Sequence, residues 1–357
     1  MESGFQLTSA SEKSYARYRV GFSFGERQLF SGGHQNMSAK SVAYASRFVI
    51  LPALAVAFVA ASILAKGHAI DRWLPQWWFL SIIAALILVE RIYTYKHLVS
   101  QRSVLARDIT STLVNLFVTG AATGLVVLPV LIFFTQHFLG RKFVFASSGQ
   151  LGPIWVQIAA ILLLVSFFRY WMHRLQHRNE FLWKLHSYHH RVTHLRILND
   201  LTSNPIDFAL RNVLGTLLLG LIGFDPLALL IALPAVSVWG PLSHCGGDVK
   251  GGWLNYLIAT PEVHRWHHTA AVPDGYGYSV NYGVEFSFWD ILFGTFYLPQ
   301  KDGQPIQPER IGHPGGLPDE SSYLRLLLVP LGLYGIVLWL RRRLRIPNSP
   351  EGSQPAE

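Results

Sequence analysis

Cysteine and charge are what this sequence has least of. One cysteine, Cys245, stands among 357 residues, so no intrachain disulfide can staple the fold, which fits a reducing compartment. Charged residues make up 14% of the chain, against about 25% in an ordinary soluble domain. No glycine-rich phosphate loop and no dinucleotide fingerprint is present, which removes the common nucleotide-dependent enzymes. The zinc-peptidase motif needs Glu directly after its first His, and here Arg174, Ser187 and Arg265 hold those positions. The Glu-x-x-His motifs of carboxylate-bridged di-iron proteins are missing as well. The formal net charge is +9, yet its Lys and Arg residues flank apolar runs and form no basic domain. A membrane surface is therefore the expected partner, and nucleic acid is not.

Half of the residues are hydrophobic, and they gather in runs near the ~20 residues that cross a bilayer. The runs are 48–65, 77–89, 113–138 and 154–171. A further apolar region, 208–239, is split by Gly223-Phe224-Asp225-Pro226 into a short helical hairpin or a re-entrant pair. The last run, 326–340, is interrupted by Pro330, Gly332 and Gly335 and is expected in the membrane interface. Lys and Arg crowd the N-terminal tail, the 96–107 loop and 169–191, which places the N-terminus and the region after Trp171 on the cytoplasmic side. The expected fold is all-α: a multi-pass membrane helical bundle. Its parts are a polar tail over 1–46 without the early apolar core of a cleavable signal, membrane helices over 47–152, a histidine-bearing domain over 153–299, a loop and apolar helix over 300–344, and a polar tail over 345–357.

Histidine is what the chain has in excess. It has 15, and six of them fall between His173 and His194. Ionisable residues beside membrane segments are rare unless they serve a function. Their spacing is regular: His173 and His177; His186, His189 and His190; His264, His267 and His268. Positions i, i+3 and i+4 share a helix face, so each motif is expected to aim its imidazoles in one direction. Neutral imidazole binds iron, zinc and copper. Eight such groups can surround two metal ions, more than a structural zinc site or a haem uses. For both clusters to meet, the intervening apolar region must cross an even number of times or turn back. His244 re-emerges beyond that region and is a ninth candidate ligand; Asp248 and His194 are weaker ones. His34, His68, His97, His137 and His313 are scattered and read as ordinary.

The stretches Tyr170-Trp171-Met172-His173-Arg174, Leu182-Trp183 through His190, Thr260-Pro261 through His268, and Asn281-Tyr282-Gly283 through Pro299 resemble the fatty acid hydroxylase and sterol desaturase superfamily. The similarity covers about residues 153–299. It implies a cytosolic histidine-rich cap over a di-metal site, with His173, His177, His186, His189, His190, His244, His264, His267 and His268 as ligands of two iron ions. It also implies O₂ as co-substrate, a lipid-type substrate and a separate electron-transfer protein of cytochrome b5, ferredoxin or reductase type. The expected activity is hydroxylation of a fatty acyl, sterol-like or head-group position. A sterol-type desaturase or methyl oxidase is the alternative within the superfamily, and a histidine-rich membrane zinc-binding or transport protein the alternative outside it. The sequence departs from the family's frequent pattern at Ser166, Asn204 and Gly246.

Four further residues are candidates for supporting the ligands: Asp290, Asn281, Trp289 and Arg265. Asp290 is expected to accept an imidazole N–H and fix its tautomer. Arg265 and Arg174 suit carboxylates, an anionic head group or a snorkelling position, and Glu90 with Arg91 an interfacial ion pair.

Overall fold

The computed structural model describes residues 74–92, 102–127, 151–315 and 322–328, with isolated positions between 129 and 343. The two expected tails, the run at 48–65 and most of 326–340 lie outside the described residues.

The described chain is mostly helical. Helix α1 covers Leu74–Ile92 and α2 begins at Arg102–Leu113. Helix α3 is Ile154–Arg178, α4 Glu180–His186, α5 Pro205–Ile222 and α6 Pro226–Ser243. Shorter helices follow: α7 Pro261–His267, α8 Phe288–Leu292 and α9 Tyr323–Leu328. The departure from all-α is a hairpin of Gln300–Lys301 on Gln304–Pro305, turned by Asp302 and Gly303 at φ 52° and 72°, the positive angles such a two-residue turn needs.

Local chemistry sets the helix starts. Asn204, Asp225 and Thr260 each accept a backbone N–H from the first turn, and each is followed by Pro. A polar cap supplies an acceptor and Pro fits the first helical position without wasting a donor. Asn204 thus caps α5. Between α5 and α6, Gly223 takes φ 81°, a left-handed stop, and the 208–239 region is a hairpin of two 18-residue helices.

Helix α6 lies at the centre. Its small ridge of Ala228, Ala232 and Val236 packs on Ile161 and Val165 of α3. Val238 and Leu242 pack instead with Ile82, Leu86 and Val89 of α1. Fully buried alanines four residues apart let the neighbouring backbone come close.

Among the described residues, three helices are long and apolar enough to cross a membrane: Val104–Val126, Ile154–Arg178 and Pro226–Ser243. Their outer faces expose Phe117, Leu125, Leu163, Leu164, Leu227 and Leu230, surface that water would penalise. One boundary differs from expectation. The described end of the expected 96–107 loop and the described start of the 113–138 run are instead one helix from Arg102, in which Arg107 and Asp108 are both buried and pair at 2.6 Å, which hides their charge within it. Gly120 and Gly124 do not break this helix; it widens into π turns at Val114–Thr119 and Thr123–Val127. The first π turn carries buried Asn115, whose Nδ2 donates to Leu201 O at 2.8 Å and Ser203 O at 2.9 Å.

Candidate metal centre

Helix α3 runs beyond its apolar part and carries His173 and His177 on its last turns. After a one-residue break at Asn179, α4 folds back and brings His186, with His189 and His190 in the following 3₁₀ turn. Helix α6 ends on His244, its C-terminal cap. The N-cap and proline of α7 set the start of the turns that hold His264, His267 and His268.

These nine side chains are brought together and are buried. They form two groups, with ring nitrogens inside each group within 4.8 Å of one another. The first group is His173, His177, His186, His190 and His267; the second is His189, His244, His264 and His268. The groups touch, with the rings of His190 and His268 stacked at 4.4 Å. The expectation that each motif aims in one direction is corrected here. In both three-histidine motifs the i, i+4 pair joins one group and the i+3 member the other. His186 and His190 part from His189, as His264 and His268 part from His267.

The outer nitrogens are held by oxygen atoms. His173 Nδ1 donates to Tyr282 O, His267 Nδ1 to Val280 O and His244 Nδ1 to Gly240 O, each at 2.8 Å. His189 Nδ1 reaches Thr202 O, and His186 Nδ1 reaches Asp207 Oδ2, both at 3.3 Å. A carbonyl only accepts, so these Nδ1 atoms carry the proton and the Nε2 atoms point inward with bare lone pairs. Those Nε2 atoms face each other: His189 and His244 at 3.0 Å, His173 and His186 at 3.1 Å. A shared proton would relieve this, but burial opposes protonation. It pushes His267 down to about 3, and burial with the neighbouring histidines holds His186, His189, His190, His264 and His268 well below the usual imidazole value. His268 has neither ring nitrogen hydrogen-bonded, and His177 Nε2 is likewise unpartnered. Neutral, buried, converging lone pairs fit a bound cation in each group, since unsatisfied buried acceptors are otherwise costly. The all-nitrogen donor set suits iron, copper or zinc rather than calcium or magnesium.

The supporting candidates act one bond further out than expected. Asp290 touches no imidazole. Its carboxylate accepts from Tyr282 N at 2.7 Å, Gly283 N at 2.8 Å and Thr295 Oγ1 at 2.7 Å. Burial still pushes this carboxyl up to about 6. Asn281, at φ 54°, donates to Val263 O and Tyr297 O. Together they fix a strap whose carbonyls at Val280 and Tyr282 carry His267 and His173. Gly283 belongs to it because a Cβ there would overlap Phe286 O. Trp289 Nε1 donates to Ser166 Oγ at 3.0 Å, tying α8 to α3. Arg265 is 1% exposed and is no snorkelling residue. It donates to Gly247 O at 2.6 Å and clasps the chain after His244. Arg174 lies over the Trp171 ring at 5.2 Å. Glu90 makes backbone ties, accepting from Gly246 N at 2.7 Å and Ile197 N at 2.8 Å.

Asp248 and His194 belong to neither histidine group. Asp248 pairs with Lys250 at 3.1 Å, and His194 Nδ1 meets the Thr193 hydroxyl. Sequence reasoning missed Asp207, and it missed every backbone carbonyl that holds a histidine. For Asp207 the signal was faint: one carboxylate in the first turn of an otherwise apolar helix.

Two cavities adjoin the centre. A small one of about 20 Å³ is lined by His173, His186, His189, His244 and His264, with Arg169, Asp200 and Arg211. The same three charged residues also line a larger cavity of about 240 Å³, whose apolar lining includes Leu116, Val165, Phe208, Leu233 and Val236.

Residues 158–295 match the fatty acid hydroxylase family model. The chain is 35% identical over 150 residues to an ornithine lipid hydroxylase of Rhizobium tropici, covering 42% of this chain and 44% of that protein. It is 25% identical over 204 residues to a Delta(7)-sterol 5(6)-desaturase of Gibberella zeae, covering 56% and 61%. It is 27% identical over 147 residues to sphinganine C4-monooxygenase 1 of Arabidopsis thaliana, covering 40% and 54%. The chain therefore spans about half the length of these curated relatives. No solved structure matches it. All nine converging histidines, His244 included, lie within the stretch that matches the fatty acid hydroxylase family model.

Proposed function

We propose that this chain is a multi-pass membrane oxygenase that hydroxylates a lipid with O₂ at a di-iron centre. The observation that carries the reading is the convergence of buried, neutral Nε2 lone pairs in two adjoining groups. One iron would be held by His173, His177, His186, His190 and His267, and the other by His189, His244, His264 and His268. Five imidazoles exceed the four ligands of a structural zinc site, which favours iron over the zinc-binding reading. Bound there, the irons would supply the redox capacity to reduce O₂ and attack an unactivated C–H bond.

The chain's own residues prepare that chemistry. The Tyr282, Val280, Gly240 and Thr202 carbonyls hold ring tautomers with Nε2 inward. Burial of all nine rings keeps water away and keeps them unprotonated at neutral pH. The cap faces the cytoplasm, as the Lys and Arg of 169–191 favour, and is open there to a separate electron-transfer protein. The balance is one oxygen atom into the C–H bond and one leaving as water, with two electrons from that partner and two protons from solvent. The lipid hydroxylase and desaturase names of the relatives support a lipid substrate.

The test is lipid mass spectrometry of cells with and without the gene. Hydroxylation appears as a lipid that gains one oxygen, and desaturation as one that loses two hydrogens. His189→Ala and His267→Ala should abolish the product while the protein stays in the membrane. Wild-type product from both variants would refute the reading.

A further inference from the structure

The larger cavity shares three charged lining residues with the small space beside both histidine groups. One of the three, Arg211, has unmet hydrogen-bonding capacity, and a second, Asp200, faces the same cavities. Arg211 is mostly buried, and its Nε and Nη2 atoms have no hydrogen-bond partner; its ion pair with Asp207 stands off at 3.5 Å. The Asp200 carboxylate is packed against Gly240, where a Cβ would overlap it, and it is partly buried and lines both cavities. No ion pair joins Asp200 to Arg211. Arg169, the third, is already committed to Glu285 at 2.5 Å. A mostly buried guanidinium short of acceptors and a carboxylate lining the same two cavities leave places for a polar group bearing both charges.

The rest of the cavity lining is mostly apolar, with Asn212 and Ser237 as its other polar side chains, and at about 240 Å³ the cavity falls below the ~300–1,000 Å³ of pockets that enclose a whole small molecule. It suits part of an amphiphile whose remaining chain lies among lipids, and it is small for a rigid ring system. Its walls are the candidate spans, through Leu116, Val165, Leu233 and Val236.

Resting on the oxygenase reading, we infer that Asp200 and Arg211 form a head-group site for a zwitterionic, amino-acid-type lipid, with Asp200 taking the ammonium and Arg211 the carboxylate or carbonyl oxygen. Because these residues border the histidines, the carbons bonded to that polar group lie nearest the centre. Oxidation then falls on the head group or the first carbons of the chain, not far along an acyl tail. A sterol, with a single hydroxyl, satisfies one of the two residues at most.

Binding to the metal-loaded full chain in detergent tests this with three matched probes. They are Nε-dodecanoyl-lysine, the same molecule without its α-amine, and the same molecule without its carboxylate. Charge-assisted hydrogen bonds to buried partners predict that the first binds about 10-fold or more tighter than either other probe. Asp200→Asn should reduce it to the level of the amine-free probe, and Arg211→Gln to that of the carboxylate-free probe. Equal binding of the three probes by the unaltered chain, a comparison that needs no variant to fold, would overturn the inference. So would variants that keep the wild-type ranking. Iron is counted on the same samples. Iron without discrimination removes the head-group site and leaves the oxygenase reading; discrimination without iron keeps the site and removes the oxygenase.

Discussion

Replacing Asp290 by Asn changes one atom and should loosen the metal centre without touching a histidine. The carboxylate receives three buried donors: Tyr282 N, Gly283 N and Thr295 Oγ1. An amide in its place has one accepting oxygen. Oδ1 can keep Tyr282 N and Thr295 Oγ1, but the new NH₂ then faces Gly283 N, donor against donor. A buried N–H without an acceptor costs about 1–3 kcal/mol, and the two remaining bonds lose their charge assistance. The expected destabilisation is about 2–4 kcal/mol. The consequence for metal runs through the Tyr282 carbonyl, which holds the His173 tautomer. Disturbed support of this kind typically costs 10–100-fold in metal affinity. The assay is competition with a ferrous chelator, followed by iron counting and a melting curve. Iron should leave the group containing His173 first, while the group containing His244 keeps its own. Equal chelator resistance in wild type and Asp290→Asn, at equal melting temperature, would refute the reasoning.

Three other changes probe other parts of the support. Gly283→Ala drives a Cβ into Phe286 O, so it should displace the same strap; a melting temperature and iron content equal to wild type would count against that role. Asn115→Ala removes the shorter side-chain donor to Leu201 O and Ser203 O, leaving Ser203 O with only the 3.4 Å contact from Ser111 Oγ, at about 1 kcal/mol. Its effect should reach His189, whose Nδ1 rests on Thr202 O between them, as a measurable loss of iron under chelator challenge. Cys245 is buried, and burial beside Glu90 pushes its thiol up to about 12. At pH 8 its thiolate is scarce, so iodoacetamide should modify the folded chain very slowly and the denatured chain completely, as mass spectrometry would show.

What could be read from the sequence was the chemistry carried by side chains in short, regular patterns. His173 and His177, His186 to His190, and His264 to His268 announce themselves by spacing, and His244 by following the apolar hairpin. The break at Gly223 and the caps at Asn204 and Asp225 are local signals, so the hairpin was legible too. The division of the histidines was not. It depends on successive residues of a helical turn pointing about 100° apart, and on which neighbour each ring meets after folding. The start of α2 was hidden because Arg107 and Asp108 look like loop charges until they are seen to cancel inside the helix. Asp290 was recognised as a supporting residue but given the wrong partner. Its partners are backbone amides of Tyr282 and Gly283, and the groups that reach the imidazoles are carbonyls. Every residue has a carbonyl, so no sequence pattern distinguishes the one that is used.

Metal counting on the purified full chain tests the central claim most directly. Two irons per chain are expected in the wild type. One should remain when His173 and His267 are both replaced by Ala, and one when His244 and His264 are. Zinc in place of iron, a single metal in the wild type, or two irons surviving in either double variant would contradict a centre built from these two groups of histidines.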